Sequence, residues 1–501
     1  MSGTGRSPES RPVRRLVAVG SGPLVWIAAL AMNRAFRHRK LEVTVLDTGP
    51  EPDSPVGYWT LPSQRGIHDM IGLRESELVK RAGATFKFAC EYLQWSGGDS
   101  RFLHAHAEIG TDIEGMPFYK YLQLAAMAGH AEKPADFSVS AIAAGHARFA
   151  RPKEGSPLTS NFTYAYHLEA APYVALLREL AQTQGVRRIE GALAQVSRTA
   201  DGILDALLLA NGERVEGDLF LDCTGSRALL MNLIEAGARD DWSPWLPCDR
   251  QWSALARREG NPLTLTRITA GDAGWLSWSP FGQSSMVSHV YSSAHLSDDE
   301  ALIRLQQSAR DMRSERLSRF SSGKRQRPWT LNCIALGDAA IELEPLVGAQ
   351  LHAGLLGIGT LIEFFPLDLR SQVESVEYNR IVGEHADALR DFTMAVYRVN
   401  SPRPGKFWEA VRAEPAPARL AHKLDLYRAS GRIVLLDNET FEEVDWAWLL
   451  LGSGCLPMTL EAQIQRLVEK VTPASVAPLR RQLVELANSM PPHSQSLRHG
   501  A

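Results

Sequence analysis

Gly20-Ser21-Gly22-Pro23 follows the apolar run 16–19, and Asp47 closes a second apolar run, 41–46. Glycines in such a turn let the backbone approach a pyrophosphate at a helix N-terminus, where unpaired N–H groups and the dipole favour negative charge. An acid ending the second strand can accept hydrogen bonds from ribose hydroxyls. Val25 stands where a G-x-G-x-x-G pattern has its third glycine, so this turn by itself also fits other α/β folds. Two later segments narrow the choice. Asp222-Cys223-Thr224-Gly225-Ser226 closes a third apolar strand, and Gly337-Asp338-Ala339 closes a fourth. A nicotinamide enzyme has no need of a late Gly-Asp turn at the same site, whereas an FAD protein places one near the ribityl chain or pyrophosphate. Gly20, Ser21, Gly22, Pro23, Asp47, Thr224, Gly225, Gly337 and Asp338 are therefore the expected FAD contacts. For Asp338 the competing reading is a plain helix cap.

These residues need a scaffold. The run 16–19, a helix over 24–37 and the run 41–46 make the βαβ opening of a doubly wound sheet. A helix over 170–184 puts Tyr173, Leu176, Leu177 and Leu180 on one face. Strands at about 187–198, 204–210 and 213–216 follow, separated by Asp201-Gly202 and Asn211-Gly212. Both dipeptides accept the positive φ of tight hairpins. Residues 264–293 alternate like sheet, 331–337 read as a buried strand, and 350–364 as a helix. The expected architecture is an α/β, FAD-binding doubly wound fold over 14–390. A substrate sheet is inserted around 80–160 and 240–330, and a helical region follows over 391–501. Residues 1–13 read as a disordered tail.

Composition removes several function classes. The 501 residues are 45% hydrophobic, enough for a large core, and carry a net charge of −3. No segment has the basic stripe that nucleic-acid binding needs. The apolar stretch 16–32 is broken by Gly20-Ser21-Gly22-Pro23, and neither a membrane span nor a signal-peptide core is visible. Five cysteines without a CxxC pair read as reduced thiols of a cytoplasmic protein. His104 and His106 share a strand face, but no carboxylate or cysteine spacing accompanies them, so no metal is expected.

A further set of motifs is more specific. Gly83-Ala84-Thr85-Phe86-Lys87-Phe88 is followed by Trp95, and Asp222-Cys223-Thr224-Gly225 lies downstream. Then come His289-Val290-Tyr291-Ser292-Ser293, Leu296-Ser297-Asp298-Asp299-Glu300, Glu344-Pro345-Leu346, Tyr378-Asn379-Arg380 and Arg390-Asp391-Phe392. In this ordered set the chain resembles the flavin-dependent tryptophan halogenases over about residues 15–460. The resemblance implies an oxidoreductase that uses FADH2, oxygen and chloride or bromide to make hypohalous acid. That acid reaches a lysine beside an aromatic or indole substrate. Lys87 is the family lysine. Read locally, Lys87 looks like a strand lysine that snorkels to solvent, although Phe86, Phe88 and Ala89 could desolvate it. Trp275 and Trp278 are expected to wall the flavin from the substrate, and His104 to line the aromatic pocket. Trp446 and Trp448 either sandwich the substrate ring or pack in the core. Val347 and Gly348 are expected to border the cofactor. No second nucleotide-binding loop is visible, so an external NAD(P)H-dependent flavin reductase is the expected partner. The oligomeric state stays open, a homodimer included.

Five segments depart from the family. Its Trp-x-Trp-x-Ile-Pro becomes Trp275-Leu276-Ser277-Trp278-Ser279-Pro280, which turns the second Trp to the opposite strand face unless a bulge restores it. The glutamate and threonine that follow Glu-Pro-Leu become Val347 and Ala349, leaving backbone N–H groups of Gly348 and Ala349 for a halide. Gly57-Tyr58-Trp59-Thr60 replaces Gly-Glu-Ala-Thr, and His106 replaces a phenylalanine. Asp338 is an acid that halogenases commonly lack and hydroxylases have. An aromatic hydroxylase and a non-catalytic FAD-binding paralogue are therefore the alternatives.

Overall fold

The computed structural model describes residues 12–49, 54–234, 237–258, 260–366, 368–369, 372–399, 402–465 and 472–498. Of the tail expected over 1–13, residues 1–11 lie outside the described residues.

The strands Arg15–Gly20, Glu42–Asp47, Arg187–Glu190, Leu219–Asp222 and Cys333–Ala335 form the parallel part of a six-stranded sheet, with Trp329–Thr330 as an antiparallel edge. Their interior positions are apolar on both faces because helices cover the sheet. Pro23–Ala35 is such a helix, buried from Val25 to Met32, with Pro23 at its first turn where no N–H is needed. The order brings the carboxyl ends of Arg15–Gly20, Leu219–Asp222 and Cys333–Ala335 side by side, where ligands of open α/β sheets bind.

A seven-stranded sheet joins Ala89–Leu93 and Arg101–Ala105 to Leu265–Ala270, Gly274–Pro280, Ser284–Tyr291, Arg250–Arg257 and Arg313–Arg319. A small third sheet pairs Gly57–Trp59 and Thr85–Lys87 with Ala165–Glu169. Residues 85–93 therefore pass from the small sheet into the large one, and Phe88 N–H donates to Thr264 O at the changeover. The two Gly turns predicted as hairpins are present: Gly202 and Gly212 take φ +82° and +86° between antiparallel strands. The strand expected over 187–198 is two strands in different sheets, Arg187–Glu190 and Leu193–Arg198, parted at Gly191. The helix Val373–Arg398 runs unbroken across position 390. Among the described residues no helix is long and apolar enough to cross a membrane, and no group of three His, Cys, Asp or Glu is placed to hold a metal.

Candidate active site

The cleft over the first glycine turn has a volume of about 750 Å3 and is lined by Ser21, Gly22, Pro23, Asp47, Tyr58 and Arg188 among others, within the range for small-molecule sites. Gly20 must be glycine: its φ is +147°, and a Cβ there would lie 2.4 Å from the Cys223 carbonyl oxygen. Gly22 caps the helix without a side-chain bond, so the first N–H groups stay open. The Ser21 hydroxyl is buried with no partner among the described residues. An orphaned hydroxyl and open amides at a positive helix end fit a pyrophosphate. Asp47 is held by Arg188, whose Nε and Nη2 donate at 3.0 and 2.7 Å to one oxygen. Among the described residues its other oxygen accepts only the long 3.3 Å bond from Gly49 N–H.

Gly225 opens one short turn and Gly337–Ala339 forms another, packed together at the ends of their strands. Gly337 takes φ +61°, and a Cβ there would meet Leu24 at 2.4 Å, so this turn lies directly on the start of the first helix. Asp338 is half-buried in it. Thr224 departs from expectation. Its hydroxyl donates to Asp222 and accepts from Leu229 N–H, and its own N–H donates to Asp222. These bonds make it a residue that shapes the turn and leave its side chain nothing to offer a cofactor.

Lys87 does not snorkel. It is fully buried, because Thr85–Lys87 is paired with Ala165–Glu169 and alternation sets Phe86 among Phe149, Tyr164 and Tyr166 on the opposite side. Lys87 Nζ donates to Thr60 O at 3.1 Å and lies 3.0 Å from His106 Nε2. Burial pushes the Lys87 amine down, only partly opposed by neighbouring Cys90, a thiol that burial keeps protonated. Burial, then the charges of Lys87, His104 and His167, holds the His106 imidazole well below its ordinary range. His106 is fixed by its backbone, whose N–H donates to Phe88 O and whose carbonyl accepts from Thr163.

A second cavity of about 490 Å3 opens on the far side of His106. Phe162 and Phe441 line it, with Ser63, His352, Glu108, Glu442 and Asp445. Its walls hold no Lys or Arg. His104 stands behind this wall, its Nε2 2.7 Å from Asp445 Oδ1 and its ring 5.4 Å from that of Phe392.

Two aromatic expectations are corrected, that for Trp278 and that for the pair Trp446 and Trp448, whereas Trp275 faces inward. Trp275 is fully buried, its N–H donating to Tyr397 OH at 3.0 Å and its ring 6.2 Å from Trp59. Trp278 is half-exposed on the opposite face, in a separate cluster with Leu276 and Trp252. The ladders on both sides of Gly274–Pro280 keep their register, so no bulge turns it back. The ring beside Trp275 is that of Trp59, which presses on Gly348. Trp446 and Trp448 do not sandwich a ring: two residues apart on the helix Glu443–Gly452, they point apart. Trp446 packs edge-on against Phe392, and Trp448 N–H anchors Ala107 O at 2.7 Å. The backbone halide site is also narrower than expected. Gly348 N–H is committed to Pro345 O, leaving Ala349 and the first turn of the helix Gln350–Glu363, which has no side-chain cap. Val347 is buried beside it.

Glu344 does not supply the missing carboxylate. It is fully buried, burial pushes it up to about 8, and its polar neighbours are Tyr397 and Cys248. His106 and Thr60 join the site as partners of Lys87, a role that sequence alone did not assign them. The exchange of a family phenylalanine for His106 was the available signal.

A family model for tryptophan halogenases matches residues 15–469. The chain belongs to the tryptophan halogenase family. The tryptophan 7-halogenase RebH of Lentzea aerocolonigenes is 26% identical over 450 residues, covering 85% of this chain and 83% of that protein. BrvH, a flavin-dependent halogenase from Brevundimonas sp. BAL3, superimposes with a TM-score of 0.91 at 32% identity, covering 97% and 99% of the two chains. Xcc4156, a flavin-dependent halogenase from Xanthomonas campestris, gives 0.90 at 32% identity and 98% of each. The halogenase is thus an oxidoreductase dependent on FADH2 and halide, working with a separate flavin reductase on an aromatic substrate. Membership of this family favours halogenation over the hydroxylase and non-catalytic alternatives.

Proposed function

We propose that the enzyme halogenates a small indole or related aromatic without a carboxylate, held in the 490 Å3 cavity, with Lys87 as the halogen carrier. The observation that carries this reading is the fully buried Lys87 amine, fixed between Thr60 O and the Nε2 of His106, a residue that lines the cavity. A desolvated amine, whose charged form burial disfavours, is a better nucleophile toward hypohalous acid. The absence of Lys and Arg and the presence of three carboxylates in the walls favour neutral or cationic rings.

FAD would lie in the larger cleft on Gly20, Ser21, Gly22, Pro23 and Asp47, with Gly225, Gly337 and Asp338 closing its inner end. Bound in reduced form, it supplies the electrons with which oxygen is activated to oxidise halide. The halide would rest near Val347 and Gly348, on the Ala349 amide and on the Trp59 indole N–H, which is buried without a protein partner. Trp59 and Trp275 keep the aromatic substrate from the flavin. Residues 14–390 would act as the cofactor domain carrying the substrate sheet and 391–501 as the helical cover. The working enzyme would be a cytoplasmic homodimer supplied by an NAD(P)H-dependent flavin reductase.

The test is Lys87→Ala with a flavin reductase, NADH, bromide and indole. Bromoindole should disappear while FAD still binds. Undiminished bromoindole would remove Lys87 from the chemistry.

A further inference from the structure

The geometry points to His106 as a catalytic residue, a two-sided imidazole that takes the proton from the halogenated ring and returns one to Lys87. This deepens the proposed function and rests on its placement of substrate in the smaller cavity. The family carboxylate that would do this work is absent, its place held by Val347, and Glu344 is buried against Tyr397 and Cys248. A base is still needed, because electrophilic substitution leaves a surplus proton on the ring carbon.

His106 meets the geometric requirement. It stands at the edge of the cavity next to Lys87: Nε2 is 3.0 Å from Lys87 Nζ, and His106 itself lines the cavity. It is only 7% exposed, and its Nδ1 makes no hydrogen bond with any described residue. The groups facing it are Lys87, His104 and His167, with Glu108, Glu442 and Asp445 in the cavity walls. Burial keeps both Lys87 and His106 toward their neutral forms. In the neutral pair Nε2–H donates to the amine and Nδ1 presents a lone pair to the cavity.

The steps balance. The Lys87 nitrogen attacks the halogen of hypohalous acid; the N–X bond forms, the O–X bond breaks, and hydroxide leaves as water with an amine proton. The aromatic carbon then attacks X; the C–X bond forms, the N–X bond breaks, and its electron pair stays on nitrogen. The ring C–H proton passes to His106 Nδ1, and Nε2–H passes to the Lys87 nitrogen. The amine is regenerated, and the imidazole is left as its other tautomer, which exchange with solvent resets.

The experiment compares wild type, His106→Phe and His106→Gln with reductase, NADH, bromide and either indole or indole deuterated on its ring carbons. Loss of a positioned base costs about 100-fold or more in rate. Both variants should slow by at least that factor. Their protiated-to-deuterated rate ratio should also rise clearly above the wild-type value, because C–H cleavage becomes limiting. A role in packing alone predicts slower product with an unchanged ratio, and that result overturns the inference, as does either variant working at the wild-type rate. His106→Gln keeps a polar partner for Lys87, and melting temperature and FAD binding check that each variant is folded. Failure of the unmodified enzyme to brominate would instead overturn the proposed function, and this inference with it.

Discussion

Trp59 closes directly onto Gly348: a Cβ on that glycine would lie 2.4 Å from the Trp59 Cδ1 and 3.1 Å from its carbonyl oxygen. The same contact sets the next residue, Thr60, whose carbonyl accepts from Lys87. Through Trp59 and Thr60, Gly348 is thereby connected to the buried Lys87 amine.

Gly348→Ala should therefore uncouple the enzyme. The φ of +71° and the missing space both oppose a side chain, so Trp59 and Thr60 must shift. NADH and oxygen should still be consumed, while bromoindole per NADH falls at least severalfold. The ratio of product to NADH oxidised measures this, and an unchanged ratio would contradict the wall.

Substrate charge gives an independent check. The smaller cavity presents Glu108, Glu442 and Asp445 and no Lys or Arg in its walls. Glu108 is itself held above the usual carboxylate range by burial and then by its acidic neighbours. Tryptamine and indole should exceed tryptophan in kcat/KM by about tenfold or more, a difference of about 1.4 kcal/mol. Equal values would show that the substrate carboxylate never meets these walls.

The C-terminal segment fastens the Lys87 strand. His493 Nε2 accepts from Phe86 N–H at 3.2 Å, and its Nδ1 lies 2.9 Å from Pro262 O. His493→Ala leaves the Phe86 donor and the Pro262 acceptor unpaired in the core, at a cost of about 1–3 kcal/mol for each group so stranded. The melting temperature should drop by several degrees and bromination should fall with it. A melting curve that matches wild type would show the segment to be dispensable.

Acid should destabilise the fold early. Burial lowers His68 to about 3 and His352 and His493 to about 4, and holds His106 and His167 well below 6.5. Below about 6.5 the unfolded chain gains protons that the native one refuses, so stability falls as pH drops. The slope is about 1.4 kcal/mol per pH unit for each fully titrating histidine. Glu344, raised to about 8, has the opposite sign and offsets one of them between 8 and 4.5. Denaturant midpoints between pH 7 and 5 should decline steadily; a flat profile would contradict the buried neutral histidines.

The chain alone determined the scaffold. Apolar runs ending in glycine turns are local patterns, so the βαβ opening, the hairpins at Gly202 and Gly212, and the motif around Lys87 were legible along the sequence. Even the Trp278 reversal could be read there, since strand period 2 is strict, although only an unbroken ladder ruled out a bulge. What only the tertiary structure decided was which side chains meet. Burial of Lys87 depends on the strand Ala165–Glu169, and its partners Thr60 and His106 come from separate segments. Trp446 and Trp448 were deflected into the core by helical geometry. A desolvated amine is a property of everything that surrounds it, and that surrounding is assembled from residues far apart in sequence.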